Sequence, residues 1–263
     1  MKLLQKIKGW FYREKHYPGG AVYKRILCFS HLSIPGNSNT TKNSAPPSDE
    51  PTWEGNDVSF RKSDRWKFEL IIKGKNNKVT IGKLGRFGVR KLKIHVYGNN
   101  NTVTIGDNVC GMELIIRIGE PDYLDWPPHH AELSIGNNCN FVSTRIHQLH
   151  SHSRVIIGND CLFSLGIQIR HTDAHPIYEL GSRTPINLVK DLIIGDHVWV
   201  GQNVYIGKNA RVASNCIIGS CAVVCKTYDT PNCAIAGNPA KIVRRNIEWE
   251  SKQTKEFIEN RHP

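Results

Sequence analysis

From Ile194 onward the chain repeats a six-residue unit, IGDHVW, VGQNVY, IGKNAR, VASNCI, IGSCAV. Aliphatic side chains recur at Ile194, Val200, Ile206, Val212, Ile218 and Val224, and Gly or Ala follows each of the first five. An amphipathic helix repeats near 3.6 residues and a half-buried strand repeats every two, so neither produces this pattern. A strict period of six predicts a β-helix: each hexad supplies one short strand and a corner, and three hexads close a triangular coil. The aliphatic residue points inward. The fourth residue after it is small (Val198, Val204, Ala210, Cys216, Ala222), and the same frame accounts for Val109, Cys139 and Cys161.

Upstream the repeat continues with interruptions. GKNNKVTIG (residues 74–82) recurs as GNNNTVTIG (residues 98–106), and LSIGNNC and VIIGNDC keep the form. Asn and Gly at these turns suit the left-handed backbone that tight corners require. The steps from Ile81 to Ile105, Ile135, Ile157 and Ile194 all exceed an 18-residue coil, so loops must protrude. In solenoids such insertions commonly build the binding face. The longest contains RHTDAHPIYELGSRTPIN and the second is EPDYLDWPPHH, residues 120–130.

The flanks read differently. Residues 36–57 are rich in Asn, Ser, Thr and Pro and predict a linker, while the first 30 residues mix Lys/Arg with Leu, Ile, Trp and Phe and predict a short amphipathic helix. After Arg245, NIEWESKQTKEFIEN predicts a C-terminal helix capping the open solenoid end. The expected organisation is an N-terminal extension and linker (1–60), a β-helix domain (61–245) and a C-terminal helix (246–263).

Composition narrows the possibilities. Mean hydropathy is −0.39, and no run of about 18 uncharged apolar residues exists, which argues against a membrane-spanning helix. No signal-peptide apolar stretch follows the basic start, so a cytoplasmic protein is expected. The formal charge is +12, with +6 in residues 1–31 and +10 in residues 61–93. Such a basic first third suits an anionic partner, either a polymer or, through residues 1–31, the inner membrane surface. The eight cysteines fit a reducing compartment better than a disulfide framework, since three of them occupy inward slots of the repeat.

The stretch GDHVWVGQNVYIGKNARVASNCIIGSCAVVCK, followed by TPNCAIAGNPAKIV, resembles the hexapeptide-repeat acyltransferases that use acetyl-CoA. DAHPIYE upstream is similar to capsular-polysaccharide and sialic-acid O-acetyltransferases. The resemblance covers residues 68–245. It implies an all-β fold, the left-handed parallel β-helix, whose hand periodicity alone does not give. It also implies a homotrimer with active sites between neighbouring coils, and acetyl-CoA as co-substrate.

His175 aligns with that family's catalytic His. Acetyl transfer to a sugar hydroxyl needs a base, and a neutral imidazole is matched to the task. Asp173 and Glu179 are candidates to accept the second ring N–H, although Asp173 also fits an Asx turn. His171 reads as a loop or acceptor contact. Trp199 is similarly placed to the family's paired Trp and would wall the site, or pack between subunits. For the donor, the match points to Gln202 and Ser220, one coil apart, and to Cys225 and Lys226 in place of the usual Thr-Lys. Lys241 and Arg244 would meet the nucleotide phosphates. The Gly201 N–H is a candidate oxyanion donor.

Other signals carry less. HQLHSH (His147, His150, His152) lacks close Cys, Asp or Glu partners, so no metal is expected; a zinc site built from His171 and His175 would make the chain a hydratase instead. No nucleic-acid module accompanies the positive charge. The expected activity is O-acetylation of an anionic capsular polysaccharide such as polysialic acid. N-acetylation of an amino or nucleotide sugar and a non-catalytic scaffold are the alternatives.

Overall fold

The computed structural model describes residues 23–26, 55–61, 68–121 and 127–259. The chain winds as a left-handed parallel β-helix. One wall is an eight-stranded sheet of Asp57–Phe60, Lys78–Ile81, Thr102–Ile105, Glu132–Ile135, Arg154–Ile157, Leu192–Ile194, Arg211–Val212 and Thr227–Tyr228. Along it Ile81, Ile105, Ile135, Ile157, Ile194, Val212 and Tyr228 lie in register, so the predicted inward column is a physical stack. The other two walls begin with Phe68–Lys73 and continue as the nine-residue strands Val89–Tyr97, Cys110–Ile118 and Asn140–Gln148. They then split into short pairs such as Trp199–Val200 and Tyr205–Gly207 once the hexad becomes regular.

Each hexad turns its corner three residues after the aliphatic position. Asn108, Asn138, Asp160, His197, Asn203, Asn209, Asn215 and Cys221 all adopt φ between 54° and 62°. Asn and Asp tolerate that conformation best. His197 and Cys221 are exceptions that composition did not suggest.

One residue earlier, polar side chains form a ladder along the corner. Asp107 Oδ1 accepts from Lys83 N at 2.7 Å, Asn137 Oδ1 from Asp107 N at 2.8 Å, and Asn159 Oδ1 from Asn137 N at 2.8 Å. Asp196 Oδ1 and Ser214 Oγ continue it at 2.6 and 3.0 Å. Amides that the bent strands leave unpaired are satisfied coil by coil.

The interior is a column of Leu, Ile and Val in which Phe141 and Phe163 stack at 4.7 Å. Cys139, Cys161 and Cys216 are buried free thiols, as the repeat predicts, and Cys233 is a fourth that the repeat did not reach. Gly111 is obligatory, because at φ 151° a Cβ would stand 1.9 Å from Phe141 O.

Three expectations change. Asp57–Phe60 pairs in parallel with Lys78–Ile81, so the solenoid begins inside the segment read as linker and extension. Tyr23–Ile26 is a strand, antiparallel to Phe68–Lys73, within the stretch predicted helical; the rest of residues 1–31 lies outside the described residues. Among the described residues the C-terminal helix covers only Lys255–Glu259. The segment before it is recruited to the solenoid instead: the Trp249 ring stacks on His197 at 4.1 Å, and its Nε1 donates to His197 O. Among the described residues no helix is long and apolar enough to cross a membrane.

Candidate active site

The strand Ile167–His171 alternates inward and outward residues and pairs with Tyr205–Gly207 of the next coil. The chain then leaves the wall at Thr172 and returns at Asp191. Between them an arm protrudes, closed by a bridge between Tyr178 and Pro185 and by Ile186 N donating to Ile177 O at 2.9 Å. Arg183 lies over the Tyr178 ring at 4.8 Å.

His175 sits on the first leg of this arm, exposed to solvent. Among the described residues its ring has no hydrogen-bond partner, and neither proposed orienter reaches it. Asp173 turns instead to Lys208 Nζ and to Asn187 Nδ2, the latter at 2.9 Å. Burial pushes its carboxyl up, but the hydrogen bonds from Lys208 and Asn187 outweigh that and hold it below the usual carboxylate range. Glu179 accepts from Ser182 Oγ within the arm. His171 faces inward, fully buried, with both ring nitrogens unpartnered. Burial, reinforced by His150 and Lys208, pushes its imidazole down to about 4, so it is neutral at physiological pH and serves as floor rather than as base.

Trp199 stands on a different wall from the root of the arm. Its exposed ring tilts toward Trp249 at 6.0 Å. His175 and Trp199 therefore belong to separate surfaces of one chain.

The predicted donor residues follow the last coils. Gln202 N donates to Ser220 Oγ at 3.1 Å, so these two stack as their spacing implied. Cys225 and Lys226 are exposed at the next corner. Lys241 and Arg244 lie on the closing antiparallel strand, opposite Ala236 and Ala234, and a register slip beside Ala234 puts both on one face. The Gly201 N–H is not free for an oxyanion, because it donates to Ile218 O at 2.7 Å. A glycine is needed there for close approach, since a Cβ would meet Ser220 N at 2.7 Å.

Sequence reasoning missed Asn187, Lys208 and Trp249. Lys208 follows the Gly of IGKNAR, a slot that carries Asp196 and Ser214 in neighbouring hexads, and that slot was the available signal.

The bacterial transferase hexapeptide (six repeats) family matches residues 191–226, which gives the class of the regular coils. A polysialic acid O-acetyltransferase of Neisseria meningitidis is 38% identical over 184 residues, 70% of this chain and 80% of that protein. A second protein of that name, from Escherichia coli O1:K1 / APEC, is 44% identical over 105 residues, 40% of this chain and 34% of its own length. The crystal structure of the polySia-specific acetyltransferase NeuO superposes with a TM-score of 0.57 at 28% identity, over 78% of this chain and 89% of that one. The chain belongs to the polysialic acid O-acetyltransferase family, within the hexapeptide-repeat acyltransferases. It is an acyl-transferring enzyme.

Proposed function

We propose that this enzyme moves an acetyl group from acetyl-CoA to a hydroxyl of an anionic polysaccharide, with polysialic acid as the acceptor class. The observation that carries the reading is His175: a solvent-facing imidazole on a protruding arm, inside a chain 38% identical to a polysialic acid O-acetyltransferase. In this mechanism the neutral ring takes the hydroxyl proton and the sugar oxygen attacks the thioester carbonyl. The tetrahedral intermediate collapses, and the coenzyme A thiolate leaves with the proton returned by the imidazolium. Gln202, Ser220, Cys225 and Lys226 line the donor track, with Lys241 and Arg244 toward its phosphates.

Assembly completes the site. His175 and Trp199 occupy different walls, and the arm exposes Ile177, Leu180, Ile186 and Leu188, with Leu180 101% exposed. Apolar side chains held that far from their own core suit a neighbouring copy, so the catalytic unit is a homotrimer whose arm faces the next subunit.

An outward column supports an anionic polymer. His95, Arg117, His147 and Arg170 lie in register on successive strands and lead to Gly207, beside the root of the arm. Glu69 and Glu120 moderate the column: His95, itself buried, has its Nε2 2.7 Å from Glu69 Oε1, and Glu120 has an oxygen 3.0 Å from Arg117 Nη1 and another 2.9 Å from His147 Nε2, the latter outside hydrogen-bond geometry. Burial pushes both imidazoles below their usual range, so Arg117 and Arg170 carry the column's positive charge. Arg170 is exposed at its near end. The test compares polysialic acid of several lengths, free sialic acid and a neutral sugar at low and raised salt. Preference for long polymer that weakens with salt is expected; equal acetylation of the neutral sugar, without salt dependence, overturns the acceptor.

A further inference from the structure

The arm's mouth is tied by one asparagine and one lysine. Asn187 lies on the returning leg, and its Nδ2 donates both to Asp173 Oδ2 and to His175 O, each at 2.9 Å. Its Oδ1 accepts from Ile177 N at 2.8 Å. A single amide thus grips the outgoing leg at three places around His175. The backbone carbonyl of Asn187 is held in turn by Lys208 Nζ at 2.6 Å, and that same ammonium pairs with Asp173. Lys208 belongs to the wall, in the corner directly above the strand that launches the arm. The next residue, Asn209, holds the returning leg further along, accepting from Lys190 N at 2.6 Å and donating to Leu188 O at 3.1 Å.

The segment so held is conformationally demanding. Ala174, immediately before His175, sits at φ 64°, which alanine rarely adopts, and its N–H donates to Thr172 Oγ1 at 2.8 Å. Backbone in that state persists only when its surroundings over-determine it. The side chain of Lys208 is only 16% exposed, and its ammonium is held between Asp173 and the Asn187 carbonyl. Beneath it His171 is buried and uncharged, and adds no competing cation.

We infer that Lys208 and Asn187 are positioning residues for the proposed base: together with Asp173 they form a clamp that fixes the main chain at His175 and so aims its ring at the acceptor hydroxyl. The inference rests on His175 being that base. It assigns Asp173 an indirect role, through Asn187, rather than contact with the ring. Misplacement by about an ångström costs on the order of 100-fold in a step that depends on alignment.

The experiment uses the full chain with acetyl-CoA and polysialic acid. Variants are Lys208→Met, Lys208→Arg, Asn187→Ala, Asp173→Asn and the double Lys208→Met/Asp173→Asn, with coenzyme A affinity, thermal midpoint and kinetics measured on each. Lys208→Met and Asn187→Ala should lower kcat by roughly 10- to 100-fold, with unchanged coenzyme A binding and acetyl-CoA KM. Lys208→Arg should recover part of that loss. In the Lys208→Met background Asp173→Asn should cost less than alone, because the two act through one contact. A full-rate Lys208→Met or Asn187→Ala enzyme would overturn the clamp while leaving His175 as base. Loss of kcat only in proportion to lost folded protein would overturn it too. An active His175→Ala protein would remove the base itself, and the clamp's purpose with it.

Discussion

Gly111 and Gly181 both have positive φ, at 151° and 91°, yet they live under different constraints. A Cβ on Gly111 would lie 1.9 Å from the Phe141 carbonyl oxygen of the next coil, while one on Gly181 would meet nothing within 4 Å. The first belongs to the wall, where each strand is hydrogen-bonded above and below and the interior is filled with aliphatic side chains. The second is at the tip of the arm, held by its own short bridge and by the side chains of Asn187, Lys208 and Asn209 at its base. The wall obtains its precision from repetition. The arm borrows it from the wall, through Lys208 and Asn209, which explains how an exposed loop can hold the proposed base in a fixed place.

The contrast can be broken at either end. Gly111→Ala should be the most damaging, costing more than about 4 kcal/mol and leaving little folded protein, because backbone must move to admit the methyl. Recovery of a well-folded, cooperative variant by circular dichroism would show that the coils are less closely stacked than described.

Next comes acid sensitivity. Burial pushes the His171 imidazole down to about 4 in the folded protein, against near 6.5 when unfolded. As pH falls, the unfolded chain takes up the proton first, so stability is present above about 6.5 and is lost on the way down to about 4. The loss attributable to His171 is roughly 3 kcal/mol, and urea unfolding of wild type and His171→Leu between pH 7 and 4.5 checks it. Equal slopes in the two proteins would remove His171 as the source.

Gly181→Ala is smaller, about 1–2 kcal/mol at most, since only the left-handed backbone and no neighbour opposes it. Leu180→Ser should shift the stability of an isolated chain by less than about 0.5 kcal/mol. Its effect belongs to assembly, and sedimentation of the variant should show weakened trimers. An unchanged oligomer would argue that the arm does not face a neighbouring copy.

What could be read from sequence follows the same division. The inward column from Ile81 to Val212 and the small inward slots were legible because a closed coil forces a strict period. The hand was not in the period and came from resemblance. Asp57–Phe60 escaped notice because one strand without a following hexad corner resembles the polar linker around it. NIEWESKQTKEFIEN has a helical pattern, but burial of Trp249 against His197 outweighs propensity over its first half. In the site, His175 was identified by its resemblance. Asp173 and Glu179 were the candidates to hold its ring, whereas in the structure neither reaches it and Asn187 and Lys208 hydrogen-bond the main chain around it, residues that only folding brings together. Gly201 illustrates the converse, since a glycine that looked like an oxyanion donor is present for packing.

The arm matters most if His175 is the base for acetyl transfer to an anionic polysaccharide. The most direct test is coenzyme A thiol release from acetyl-CoA with polysialic acid, by wild type and by His175→Ala. Wild type should turn over and the variant should lose about 10²–10⁴-fold, with coenzyme A binding and thermal midpoint unchanged. Turnover that survives the substitution would contradict it.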